Sequence, residues 1–296
     1  MWAAPRAGIA QQQLGDKFTV LNAGGVNLLA FAGGGDGIVL VDSGAPKSKD
    51  TLTAALNSQA ALWVRQSLVG VKNSKVQTLF NTHYHSDQTG NNEAFFTGGA
   101  RIIAHDRTRQ WMSSDYWVPG EDRYEKAPPK TALPTETFLT TGSLKAGSEQ
   151  IDYGYLPLAH TSGDIYVFFR TSNVMAVGDV ASPLRDPALD YFTGAWIGGR
   201  VDAMDILLNI GNDQTRIVPA YGPVMTKAEF KAERDMMEEV RARLFTTVRE
   251  GDGPKDMLEA GVLKDLPRTW KNPDKFLYDA AKGLWAHHDK LDPNVV

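Results

Sequence analysis

The stretch NTHYHSDQTG at positions 81 to 90 sets two histidines and an aspartate at alternate positions. In an extended or loop conformation side-chain direction alternates along the chain, so His83 and His85 project to one side and can meet a single cation, with Asp87 on that side too. Two imidazoles plus a third nitrogen make the three-ligand pattern of catalytic zinc, with one coordination position left for water. The remaining histidines are His105, His160, His287 and His288. His160, in LAHTSGD between two expected strands, stands where a converging ligand belongs. His105 closes the strand ARIIAH and reads as a surface residue or one behind the ligands, while His287 and His288 lie in an expected C-terminal helix. The chain has no cysteine, so a transition-metal site must be built from His, Asp or Glu, and disulfides and thiolate nucleophiles are excluded.

These residues need elements to hold them. The runs FTVL, VNLLAFA and GIVLVD, separated by GG and GGGDG, predict hairpin-linked strands. The GGGDG is not a phosphate loop, because no GKS or GKT follows it. Leu52, Leu56, Leu62 and Leu68 recur at helical spacing over residues 48 to 68. VQTLFNTH predicts the strand that delivers the histidines, followed by a helix around Asn92 to Phe96 and the strand ARIIAH. TFLT, EQIDYGYLPL, DIYVFFR, NVMAVGD and TRIVPA predict further strands, with a helix from about Val201 to Asn209 before the last. This order of strands and helices points to an α/β layered arrangement.

Residues 227 to 249 carry Phe230, Met237, Val240, Leu244 and Val248 on one helical face, an amphipathic helix docked on the core. The tail from 255 predicts two short helices with Trp270, Phe276, Leu284 and Trp285 for packing. Two segments break the rhythm: residues 106 to 136, with Trp111, Tyr116, Trp117 and several prolines, and DYFTGAWIGG, with Tyr191, Phe192 and Trp196. Both are expected to be irregular and to offer an apolar wall to a small-molecule substrate.

Composition narrows the partners. At 296 residues with 42% hydrophobic content the chain has the profile of a soluble globular protein of one large domain or two small ones. With 31 basic against 35 acidic residues, a formal charge of -4 and no basic block, nucleic acid is set aside as a partner. No apolar run approaches the roughly 18 residues of a membrane span. MWAAPRAGIAQQQ places Gly8 and Ala10 ahead of Gln11 like the end of a secretory leader, although Pro5 and Arg6 interrupt its apolar part. A periplasmic or secreted protein is the first expectation, a cytoplasmic one the second, and residues 1–16 are expected to be a flexible N-terminus or leader remnant.

NTHYHSDQTGNN resembles the HxHxDH signature of the metallo-β-lactamase superfamily, and the family's other motifs stand in order around it. VLVDSG, with Asp42, precedes it; LAHTSGD with His160, MAVGDV with Asp179, and PAYGPV at 219 to 224 follow, so that the likeness runs over about residues 18 to 226. The resemblance implies an αββα sandwich of two mixed β-sheets flanked by helices, occupying residues 17–250, with residues 251–296 as a helical extension packed on it. It also implies that His83, His85 and His160 hold the first metal, and that Asp87, the residue after it, Asp179 and a histidine in the last motif hold the second. Here Gln88 and Tyr221 stand at two of those four positions. An amide oxygen is a poorer partner for zinc than imidazole, so one tightly held zinc and a weak or empty second site are expected. Asp42 and Asp179 taken singly also fit helix caps or turns.

The chemistry implied is hydrolysis of an ester, lactone or amide by zinc-activated water, with β-lactams as one open case. Asp87 would orient that water and take its proton, Tyr221 would donate to an oxyanion, and Gln88 and Asp42 would support the site from behind. Two alternatives remain at this stage: a non-catalytic small-molecule-binding member, and a di-iron oxidoreductase, which needs both metal positions.

Overall fold

The computed structural model describes residues 9–33, 37–65, 75–118 and 122–287. The leader-like residues 1–8, Leu68 of the helical pattern, Pro119 and His288 lie outside them. In chain order come β1 (Ala10–Gln13), β2 (Phe18–Ala23), β3 (Val26–Ala32), β4 (Ile38–Val41), α1 (Lys49–Arg65), β5 (Val76–Phe80), α2 (Ser86–Thr89), α3 (Asn92–Thr97), β6 (Arg101–His105) and α4 (Asp106–Met112). Then follow β7 (Tyr116–Val118), β8 (Arg123–Glu125), β9 (Glu136–Phe138), β10 (Thr141–Ala146), β11 (Glu149–Tyr155), β12 (Ile165–Phe169) and β13 (Val174–Gly178). The chain closes with α5 (Ile197–Leu208), β14 (Arg216–Pro219), α6 (Lys227–Glu250), α7 (Pro254–Glu259) and α8 (Pro273–Ala286).

Two mixed sheets result. The 7-stranded sheet has the order β1-β2-β3-β4-β5-β6-β9, antiparallel up to β4 and parallel beyond it. The 5-stranded sheet has the order β10-β11-β12-β13-β14, antiparallel except for its last pair. β3 is buried along its whole length because both of its faces are covered: Leu29 and Phe31 point between the sheets, Leu28 and Ala30 toward α1. That is why VNLLAFA, Asn27 apart, reads as an apolar run without alternation. Between the sheets Phe18 and Phe31 meet Phe169 with ring centres 5.0 and 5.4 Å apart. α1 lays Leu52, Leu56 and Trp63 on the outer face of the first sheet, and α5 to α8 cover the second, giving the αββα layering. Among the described residues no helix is long and apolar enough to cross a membrane.

Several expectations change. Residues 10–13, expected in a flexible tail, pair with β2 as an edge strand. The segment 106 to 136 contains α4 and the β7–β8 hairpin, whose three-residue strands are too short for alternation to register. β10 carries no signal of its own because TGSLKA has one large apolar residue and an exposed face. α5 begins at Ile197, four residues ahead of the expected start. Gly198 and Gly199 read as helix breakers, but a Cβ at Gly198 would strike the Trp196 ring and one at Gly199 the Leu158 carbonyl. They are glycines because the helix starts pressed against its neighbours. The Met257, Val262, Leu263, Phe276, Leu277 and Leu284 side chains of the C-terminal segment share one core with α5 and α6.

Candidate metal centre

The site forms at the C-terminal ends of one parallel strand pair from each sheet, β4 with β5 and β13 with β14. Side chains placed there escape the ladder and face a common crevice. Asp42 follows β4, His83 and His85 follow β5, Asp179 follows β13 and Tyr221 follows β14, while His160 comes from the β11–β12 loop. Gly178, at φ +58, lets β13 pass Thr82, whose Oγ1 would lie 2.8 Å from an added Cβ.

One nitrogen from each of His83, His85 and His160 lies within 4.8 Å of the others. The outer nitrogen of each ring is engaged, which fixes where its proton sits. His160 Nδ1 donates to the Ala188 carbonyl at 2.9 Å, leaving Nε2 as a lone pair. His85 Nε2 faces the Asp190 carboxylate at 3.3 Å, leaving Nδ1 bare, and those two bare nitrogens stand 3.1 Å apart. Asp42 accepts from the Thr82 amide at 2.7 Å and from its hydroxyl at 2.8 Å. The Thr82 oxygen is thereby free to accept from His83 Nδ1 at 3.2 Å. His83 Nε2 is then buried with no hydrogen-bond partner. Three lone pairs converge in a buried space, an arrangement that repels itself unless a cation lies between them. The residues fit a zinc ion.

Electrostatics favour the neutral form for two of the three rings. Burial, then the neighbouring His160 and His85, holds His83 well below its ordinary pKa, and burial followed by His85 does the same to His160. Burial also opposes charge on His85, but the hydrogen bond and charge of Asp190 raise it overall. Neutral imidazoles are the form that binds metal.

The second half of the crevice differs. Residues 86–89 are helical, so the alternation expected to carry Asp87 beside the histidines stops at His85. Asp87 instead accepts a hydrogen bond from the Tyr221 hydroxyl. Gln88 directs Nε2 at Asp179 Oδ2, 3.5 Å away, and its buried Oε1 has no partner. Asp179 Oδ2 lies 3.6 Å from His83 Nε2 and 3.7 Å from His160 Nε2. Burial, then the Asp87 charge, pushes Asp179 up to about 7. Burial, then Asp87, raises Tyr221 as well.

The aromatic expectations divide. Tyr84 stacks on Trp111 with centres 5.7 Å apart, Tyr116 meets both, and Phe192 closes on Trp111 and Tyr116. Tyr84, Trp111 and Tyr116 line a cleft of about 200 Å³ together with Pro128 and Pro129. Tyr191 packs toward Tyr278. Trp117 lies outside this cleft, 43% exposed on the β7–β8 hairpin against Tyr124. Trp196 belongs to the core beneath α5, its ring stacked on His287. None of Trp117, Trp196, Tyr191 and Phe192 lines the cleft. His105 is no surface residue either: it is buried, caps α4 through Nδ1 and bonds the Leu139 carbonyl through Nε2.

A family profile for the metallo-β-lactamase superfamily matches residues 21–220. The chain belongs to that superfamily. By sequence, no curated protein matches it closely enough to count as a relative. Among solved structures it is similar to the metallo-β-lactamase from Pontibacter korlensis, at 16% identity, TM-score 0.55, with 80% of this chain and 98% of that one covered. It is similar to VMB-1 at 14% identity and TM-score 0.58, covering 79% and 98%, and to the DIM-1 metallo-β-lactamase at 18% and 0.55, covering 78% and 97%. At such identities these likenesses speak for the fold.

Sequence reading missed the residues behind the histidines. Asp190 also accepts from Tyr84 Oη at 2.5 Å, and its backbone amide donates to the His160 carbonyl at 2.9 Å. Asp164, four residues after His160 in the quoted motif, accepts from the His160 and Thr161 amides, both at 2.7 Å. Arg200, fully buried, donates to the Asp179 carbonyl at 2.8 Å and to Ser182 Oγ at 2.9 Å, with Glu233 3.6 Å away. A buried arginine in an apolar helix is the one such signal visible beforehand, since it must have partners.

Proposed function

We propose that the protein is a zinc-dependent hydrolase that holds one ion on His83, His85 and His160 and cleaves an ester, lactone or amide of a small molecule. The observation that carries this reading is the convergence of three imidazole lone pairs whose outer nitrogens are all engaged. Zinc in such a site brings the water it binds to a pKa of about 7 and polarises a carbonyl.

The chain's own residues do the rest. Asp87 is the proton acceptor: its carboxylate borders the crevice and one of its oxygens is held by Tyr221. A phenol has a single proton, and Tyr221 uses it in the hydrogen bond it donates to Asp87, so its first duty is to orient the base. Donation to a substrate oxyanion requires it to release that bond. Asp42 acts through Thr82 on His83, Asp190 on His85, and the Ala188 carbonyl on His160, each setting a ring's orientation and tautomer. The cleft of Tyr84, Trp111 and Tyr116 suits the apolar part of the substrate.

The test is a panel of ester, lactone, amide and β-lactam substrates assayed before and after chelation. Turnover that chelation abolishes and zinc restores is the expected result; turnover indifferent to chelation would overturn the reading. The competing reading, a binder without turnover, draws on Gln88 and Tyr221 and predicts stoichiometric zinc with no hydrolysis of any member of the panel.

A further inference from the structure

Two carboxylates, Asp87 and Asp179, face the half of the crevice where the family places a second ion, and each raises the pKa of a neighbouring group. The opposing positive charge comes from the chain. The guanidinium of Arg185 lies over the Tyr221 ring with its carbon 3.1 Å from the ring centre, and the Tyr221 hydroxyl in turn donates to Asp87. The charge of Arg185 acts on Tyr221 and on Asp179 alike, lowering both.

The backbone that carries Arg185 is held in place. Arg268 donates to the carbonyl of Arg185 and, at 2.6 Å, to that of Ser182. Glu233 accepts from the Ser182 amide at 2.7 Å, and Asp186 accepts from the Lys271 and Asn272 amides at 2.9 and 2.6 Å. Gly222, at φ +99, lets the turn carrying Tyr221 meet this loop: an added Cβ would lie 2.9 Å from Pro183 Cγ. The loop that presents Arg185 is thus tied to α6 and to the C-terminal segment on both sides of the arginine.

We propose that Arg185, stacked on Tyr221, is a built-in cation that stands in for the second metal ion and keeps the centre mononuclear. This rests on the reading of the three histidines as a zinc site, and it deepens that reading by naming what excludes the second ion. A dication entering there has three obstacles: the Tyr221 hydroxyl on Asp87, a neutral amide in place of an imidazole at Gln88, and repulsion from the exposed guanidinium stacked on the Tyr221 ring.

The experiment measures zinc bound per chain against free zinc by equilibrium dialysis, with thermal unfolding as a check on folding. In a Gln88→His background, which restores one donor, Arg185→Gln removes the charge and Arg185→Lys keeps it. The expected result is that Arg185→Gln takes up a second ion at least about tenfold more tightly than Arg185→Lys does, with first-ion affinity equal in both. Because Gln88 is buried, the same pair of substitutions in the otherwise natural chain gives the comparison a second time, at weaker absolute affinity. Second-ion affinities within about twofold of each other for the two variants would overturn the proposal, as would loss of the first ion on Arg185→Gln. A natural chain that binds no zinc would overturn the zinc-site reading itself, a result that the comparison of second-ion affinities cannot produce.

Discussion

The two halves of the crevice are built from the same family motifs and have opposite characters. On one side three imidazoles turn bare nitrogens inward, and every outer nitrogen is held by a carboxylate, a carbonyl or a hydroxyl. On the other side Asp87 and Asp179 are engaged by Tyr221 and Gln88. The first half is unsatisfied without a cation; the second is largely satisfied by the chain. A metal site is therefore recognised by donors left over after internal hydrogen bonds are assigned, and a list of ligand-type residues does not separate the two halves.

The largest break in this comparison is His160→Ala, which removes a ligand and should weaken zinc binding at least about 100-fold by competition titration. Tyr221→Phe on the opposite side should leave that affinity unchanged. Next comes Asp190→Ala, which frees the His85 ring and should cost about 10- to 100-fold in zinc affinity, although Asp190 is no ligand. If this variant binds zinc like the natural chain, the ordered outer bonds are incidental. Tyr221→Phe should lower kcat about tenfold, the worth of one hydrogen bond to a charged group, with KM and zinc content held. The smallest effect separates the aromatics. Trp111→Ala should raise KM roughly fivefold through lost apolar contact, whereas Trp117→Ala, outside the cleft, should leave it within about twofold.

Much of this was legible in the residues. VNLLAFA and NVMAVGD announced strands, which the structure shows buried along their length, and the HxHxD run with HTSGD announced where ligands converge. The departures Gln88 and Tyr221 were visible as letters, but their pairing with Asp179 and Asp87 is a tertiary fact joining residues 91 and 134 positions apart. Asp190 escaped for the same reason. An aspartate in DPALDYF looks like a turn residue, and only the folded chain brings it to His85. Trp196 misled because aromatic content near glycines resembles a pocket wall, when the glycines exist to let α5 start against that ring. For Asp87 the alternation argument failed, because residues 86–89 are helical, and its carboxylate meets the Tyr221 hydroxyl instead.

The most direct test of the central claim is metal content with the zinc X-ray absorption spectrum of protein purified without added metal. One zinc per chain with three imidazole nitrogens among its nearest neighbours is the expected result. Two ions per chain, or a zinc without those imidazoles, would contradict that claim.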